Sequence, residues 1–138
     1  MSQDTLNPFI ALDTETTGLD KDEDAIIEIG CVHWAGQGPT GKTFHQFINP
    51  GRSIDEGATR VHGITLSQLK DKPAFYEIAD TFLAEIKDQI VVIHNADFDV
   101  GFINEALKRC QHAVRDIRQH ATIIDSLALA KMKYPGQR

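Results

Sequence analysis

Cysteine is scarce in this chain, and positive charge is in short supply. Two cysteines, Cys31 and Cys110, stand far apart among 138 residues, without the close pairing of a zinc site. Both read as reduced, buried thiols, as expected of a cytoplasmic protein. Fourteen Lys and Arg face twenty Asp and Glu, a net charge of -6. That excludes a nucleic-acid-binding module that works by releasing counterions from a basic face. It leaves room for an enzyme that meets phosphates through bound metal ions. No apolar run approaches the roughly 18 residues of a membrane span, so no membrane partner is expected. The N-terminal MSQDTLNPF lacks the basic and apolar stretches of a secretory signal. No internal repeat or low-complexity tract is present. The length and an apolar fraction of 41% suit a single domain, 1–138, with a core of its own.

What is present is a change of periodicity. FIALDT (9–14), AIIEIGCVHW (25–34) and KTFHQFINP (42–50) read as strands. LDKDED links the first two as a solvated acidic loop, and GQGPTG (36–41) supplies turn chemistry for the next connection. These three strands predict an antiparallel meander. After Pro73 the apolar spacing becomes three and four: Phe75, Ile78, Ala79, Phe82, Leu83 and Ile86 form a helical stripe. IVVIHN (90–95) reads as a buried strand. A second helix follows, with Phe98, Phe102, Ile103, Ala106, Leu107 and Cys110 on its inner face. ATIID (121–125) predicts a last strand, and SLALAKMKY a helix ending at Pro135-Gly136. Three strands followed by alternating helix and strand imply a mixed sheet covered by helices.

Asp13 and Glu15, in ALDTETTG (11–18), project to the same side of a strand because side chains alternate. Two carboxylates that close resist ionisation unless positive charge lies between them, and hard divalent cations prefer such oxygens. On its own the pair also fits a strand that ends with its acids turned to water. HNADFD (94–99) places Asp97 and Asp99 at a helix start after a buried strand, a favoured position for sites in α/β folds. Asp97 suits a helix-dipole partner. Asp99, between Phe98 and Phe102, is expected close to the sheet.

LDTETTG, VHGIT (61–65) and HNADFD, in that order, resemble the motifs of the DEDD 3′–5′ exonucleases. Within that family they are most similar to the proofreading epsilon subunits of bacterial DNA polymerase III. FHQFINPGRSID and DSLALAKMKYPGQR (125–138) carry the same likeness, which covers nearly the whole chain. The resemblance implies a ribonuclease-H-like fold. That is an α/β architecture with a five-stranded mixed sheet, antiparallel in strands one to three and then parallel, flanked by helices. It implies hydrolysis of the terminal phosphodiester at a single-stranded DNA 3′ end, with two Mg²⁺ or Mn²⁺ ions. It implies Asp13, Glu15 and Asp99 as catalytic, metal-binding carboxylates, with Asp97 left out. It places Glu15, the Thr16 backbone and His62 at the terminal nucleotide. It implies the polymerase III alpha subunit and other core subunits as partners. Two other readings share the fold: a stand-alone exonuclease acting on RNA or short oligonucleotides, and a non-catalytic binding module.

The sequence also departs from the family. Its third motif, a His followed five residues later by a fourth carboxylate, comes after the YPG segment in the relatives, and this sequence stops at Arg138. The expectation is therefore that the motif and the polymerase-attachment region are missing. The second metal then lacks a ligand, the water lacks a base, and the chain is inactive or very weak. An exposed apolar patch is expected where a later helix would pack. His120 and Asp125 show the motif's spacing, but in a strand five residues put two side chains on opposite faces. Asp125 reads instead as the N-cap of the helix beginning at Ser126. Gly57 stands where the family often has a nucleotide-contacting glutamate, with Glu56 beside it, close enough for a local shift to restore the contact. His94 and Asn95 are expected to hold the strand-to-helix turn. His33, His45 and His112 have no ligand pattern, and Trp34 and the helical phenylalanines are assigned to the core.

Overall fold

The computed structural model describes residues 8–133. Five strands form one sheet in the order β3-β2-β1-β4-β5. β1 (Phe9–Thr16), β2 (Ile26–Ala35) and β3 (Gly38–Phe47) make the antiparallel meander. β4 (Ile90–Ile93) adds parallel to β1, and β5 (Thr122–Asp125) parallel to β4. The helices are α1 (Glu56–His62), α2 (Leu66–Leu69), α3 (Phe75–Ile86), α4 (Ala96–Arg109) and α5 (Ser126–Lys133). The expected mixed, helix-flanked sheet is thus observed. The helix end expected at Pro135-Gly136 lies outside the described residues. Among those residues, no helix is long and apolar enough to cross a membrane.

Alternation in β1 sorts its side chains between two faces. Ile10 and Leu12 turn inward and join Ile29 and Cys31 of β2, Val91 and Ile93 of β4, and the inner stripes of α3 and α4 in the main core. Phe82, wholly buried on α3, is among the largest members; burying such a side chain contributes about 1.5–3 kcal/mol. Phe9, Ala11, Asp13 and Glu15 turn the other way, opposite Trp34, Val32, Gly30 and Glu28 of β2. None of these eight residues is buried. Val32 is 37% exposed, and an apolar patch therefore borders the acids. Trp34 belongs to that patch and not to the core: it stacks on Phe9 with ring centroids 6.0 Å apart. Cys31 is buried and free, whereas Cys110 is free but only half-buried. Burial, reinforced by Glu85, pushes the Cys31 thiol up to about 12, so it stays protonated and inert near neutral pH.

Three local features differ from the sequence expectation. β3 begins at Gly38, with Pro39 paired to Trp34, so the turn is shorter than GQGPTG. Proline is tolerated there because β3 is an edge strand. Gly36 takes a positive φ of 62°, the conformation that a tight hairpin turn demands. α1 and α2 were not expected as helices. α1 has no buried residue, and so its sequence carries no apolar stripe to announce it.

Candidate active site

β1 ends in a bulge between Glu15 and Thr16, after which Thr17 N–H bonds to Ala25 O at 2.8 Å. The chain then enters the β1–β2 loop. On the opposite side, β4 hands over to α4 through His94 and Asn95, as expected. Asn95 adopts the left-handed conformation, φ 63°, which this residue type tolerates. Its N–H donates to Asp125 Oδ1 at 3.1 Å, and Ala96 N–H to Asp125 Oδ2 at 3.1 Å. The same carboxylate accepts from Leu127 N at 2.9 Å and Ala128 N at 3.3 Å. Asp125 is therefore the expected N-cap of α5 and also the clamp on the start of α4. Burial opposes its ionisation, but the four backbone donors outweigh it and hold its pKa below the usual value. His94 Nδ1 lies 3.2 Å from Ser126 Oγ.

This handover brings Asp99, one turn into α4, against Thr14 of β1. Asp99 is 5% exposed. Burial first, then the charge of Asp13, push its carboxyl up to about 7; Glu15 adds to the rise, and the nearby Thr14 hydroxyl and N–H offset it in part. Neither Asp99 Oδ2 nor Thr14 Oγ1 has a hydrogen-bond partner of normal geometry among the described residues. A buried carboxylate oxygen left without a donor is costly. Glu15 is also raised, by burial first and then by Asp13, with His62 acting against it and Glu28 adding to it. The three expected carboxylates thus feel one another's charge. Among the described residues, however, no three His, Cys, Asp or Glu side chains are gathered so that they could hold a metal ion as they stand. The fit to a divalent cation therefore stands on two observations: the hard oxygen donors, and the orphaned Oδ2 that a cation would satisfy.

Beside these acids lies a cavity of about 500 Å³, walled by Glu15, Thr16, Leu19, Asp55, Val61, His62 and Phe98 among others. His62 ends α1. Gly63 turns left-handed after it, φ 72°, and this lets Ile64 N–H donate to His62 Nδ1 at 3.0 Å. With Nδ1 accepting, the proton belongs on Nε2, which reaches Thr16 O at 3.2 Å. The expected His62 and Thr16 therefore meet at this cavity. Leu19 and Val61, each 85% exposed, give it apolar walls.

The structure corrects one expectation and adds two acids. Glu56 does not restore the missing glutamate: its side chain is 90% exposed and pairs with Arg60 at 3.4 Å. Asp55, just before α1, lines the cavity in its place. Glu28 lies across the strands from Glu15 and, with Asp13 and Glu15, borders a smaller recess of about 200 Å³. Its Oε2 lies 2.5 Å from His45 Nε2. Neither acid carried a signal beyond its strand or cap position, because tertiary pairing alone brings them here. Asp97 stays outside, paired with Arg118 at 2.7 Å. His33 pairs with Glu85 and His112 with Asp80, consistent with their exclusion. His120 donates to Leu83 O at 2.8 Å, away from Asp125.

Comparison with known proteins was made against this geometry. The RNase_T family model, described as an exonuclease, matches residues 10–138. The chain is 48% identical over 134 residues to the DNA polymerase III subunit epsilon of Buchnera aphidicola subsp. Acyrthosiphon pisum, covering 94% of this chain and 56% of that protein. It is 43% identical over 130 residues to the subunit of the same name from Rickettsia felis, covering 94% and 57%. The chain spans about half the length of the curated relatives it matches. Among solved structures, Exonuclease X in complex with 5′ overhanging duplex DNA is similar, with TM-score 0.73 and 25% identity over 94% of this chain and 66% of that one.

Proposed function

This chain belongs to the RNase_T exonuclease family, and on that premise we propose that residues 1–138 form one exonuclease domain that removes nucleotides from a DNA 3′ end in proofreading. The observation that carries the reading is the buried, orphaned carboxylate oxygen of Asp99 beside Asp13, Glu15 and the cavity bordered by His62. The hard carboxylate oxygens, with one of them buried and orphaned, suit Mg²⁺ or Mn²⁺, which would supply the positive charge that phosphodiester hydrolysis requires. Asp13, Glu15 and Asp99 hold the ions in this reading, and the raised pKa values of Glu15 and Asp99 mark groups poised to exchange a proton for a cation. His62, its tautomer fixed by Ile64, presents the Nε2 edge beside Thr16 O, where the terminal nucleotide is bound and oriented. Leu19, Val61 and Phe98 give that nucleotide an apolar seat and keep water from its base.

In this reading the partners are the alpha subunit and other core subunits of DNA polymerase III, in the cytoplasm; the support is that the relatives are named as a subunit of that polymerase. The test is calorimetric titration with Mn²⁺ and then with thymidine 5′-monophosphate, followed by incubation with 5′-labelled DNA and RNA strands. The reading expects Mn²⁺ binding that is lost in Asp99→Asn, nucleotide binding that requires Mn²⁺, and any shortening to run from the DNA 3′ end. A parent protein without Mn²⁺ affinity refutes it, and faster shortening of RNA than of DNA refutes the proofreading role.

A further inference from the structure

Arg109 closes α4 and belongs to none of the motifs above. Its guanidinium reaches the β1–β2 loop, more than eighty residues earlier in the chain. Nη1 donates to Asp24 O at 2.9 Å, and Nη2 to Lys21 O at 2.8 Å and Asp22 O at 2.9 Å. Nε lies 3.7 Å from Glu105 Oε2, one turn back on the same helix. A planar fork with five donors suits this grip, and an ammonium does not. A second contact supports it: a Cβ built on Gly101 of α4 would lie 3.1 Å from Lys21 Cδ, so the lysine stem lies across the helix where a side chain is lacking.

The loop is internally tied. Asp24 accepts from the Thr17 hydroxyl at 2.9 Å and from Asp20 N at 3.1 Å. Its near end carries Leu19 into the wall of the 500 Å³ cavity. Its other side, with Phe98 and Phe102, borders a neighbouring cavity of about 550 Å³. Asp20, Asp22, Glu23 and Asp24 give the loop a negative charge, next to a site that is itself acidic. Like charges push the two apart, and Arg109 works against that push.

We propose that Arg109 is a positioning residue: its hold on three backbone carbonyls docks the β1–β2 loop on α4 and sets Leu19 at the nucleotide cavity. This rests on the reading of that cavity as the nucleotide site. The test compares the parent protein with Arg109→Ala and Arg109→Lys, with Arg115→Ala as control. Amide hydrogen exchange reads the loop, and titration reads Mn²⁺ alone and thymidine 5′-monophosphate with Mn²⁺. Exchange at residues 19–24 should quicken at least tenfold in both Arg109 variants, with β1 and α3 unchanged. Nucleotide affinity should fall five- to tenfold while Mn²⁺ affinity holds, a split that general loosening would not produce. If the alanine variant does not fold, the lysine variant carries the test. Unchanged loop exchange, unchanged nucleotide affinity, or joint loss of both affinities overturns the inference. A parent protein that binds no nucleotide overturns the functional reading and the inference with it; nucleotide binding that survives both substitutions sinks the inference alone.

Discussion

Replacing Asp99 with asparagine should make the metal-free protein more stable while removing its affinity for Mn²⁺. The carboxyl of Asp99 is displaced from 3.8 to about 7, chiefly by burial. At about 1.4 kcal/mol per unit, that displacement sets a ceiling of roughly 4 kcal/mol on the strain of the ionised form. The charge is shared among Asp13, Glu15 and Asp99, and the surroundings relax, so about 1–3 kcal/mol is expected in practice. The sign follows from proton binding. The folded state holds this proton more tightly than the unfolded chain, so folding stability falls as pH rises from about 4 to about 7 and is level above that. An amide of the same shape cannot ionise and escapes the loss. Urea unfolding of both proteins in a chelating buffer at pH 4 and pH 8 measures it. The variant's advantage should be small at pH 4 and reach about 1–3 kcal/mol at pH 8. Adding Mn²⁺ at pH 8 should stabilise the parent and leave the variant unchanged. A variant no more stable than the parent at pH 8, or an advantage independent of pH, would refute the claim that Asp99 is a strained, cation-seeking acid.

Three further outcomes follow from the geometry. Gly18→Ala puts a Cβ 2.3 Å from the carboxylate oxygens of both Asp24 and Asp55; thermal melts should show a loss of about 1–3 kcal/mol as one of them is displaced. His62→Ala removes both the acceptor for Ile64 N–H and the Nε2 edge at the cavity. Mononucleotide affinity should fall about tenfold, equivalent to about 1.4 kcal/mol, as titration would show. Asp125→Ala strips the acceptor from four backbone N–H groups and should cost about 1–2 kcal/mol near neutral pH. Because the Asp125 pKa is lowered in the fold, that contribution is present above the ordinary Asp pKa and is lost as pH falls through the folded value. Parent and variant should therefore converge in acid denaturant titrations.

Strands β1, β2 and β4 and the two long helices were legible because each buries one face. Ile10 and Leu12 alternate, and Phe75 through Ile86 recur with helical spacing, so the pattern is written locally. The motif acids Asp13, Glu15 and Asp99 stood out by chemistry and order, and folding brings the charges of Asp13 and Glu15 to bear on Asp99. Other features were not legible, and for physical reasons. α1 buries nothing. Pro39 looks like a breaker until the strand around it proves to be an edge. Trp34 is apolar and suggests a core, but its strand position turns it to the open face. Asp55 and Glu28 reach the cavity and the recess through cap and cross-strand geometry that exists only after folding. Arg109 acts through backbone carbonyls, which leave no trace in side-chain identity.

Asp125 ends β5, yet its two oxygens staple the first residues of α4 to the first residues of α5. Asp99 rides on the turn of α4 that this staple secures. A mutational survey scored by turnover alone would therefore find Asp125 indispensable. It would be tempted to enrol it, with His120 five places earlier, as an impostor for a catalytic acid. The imposture ends on adding back metal: a true ligand's loss is felt as weaker ion capture, whereas a broken staple is felt first as a looser helix.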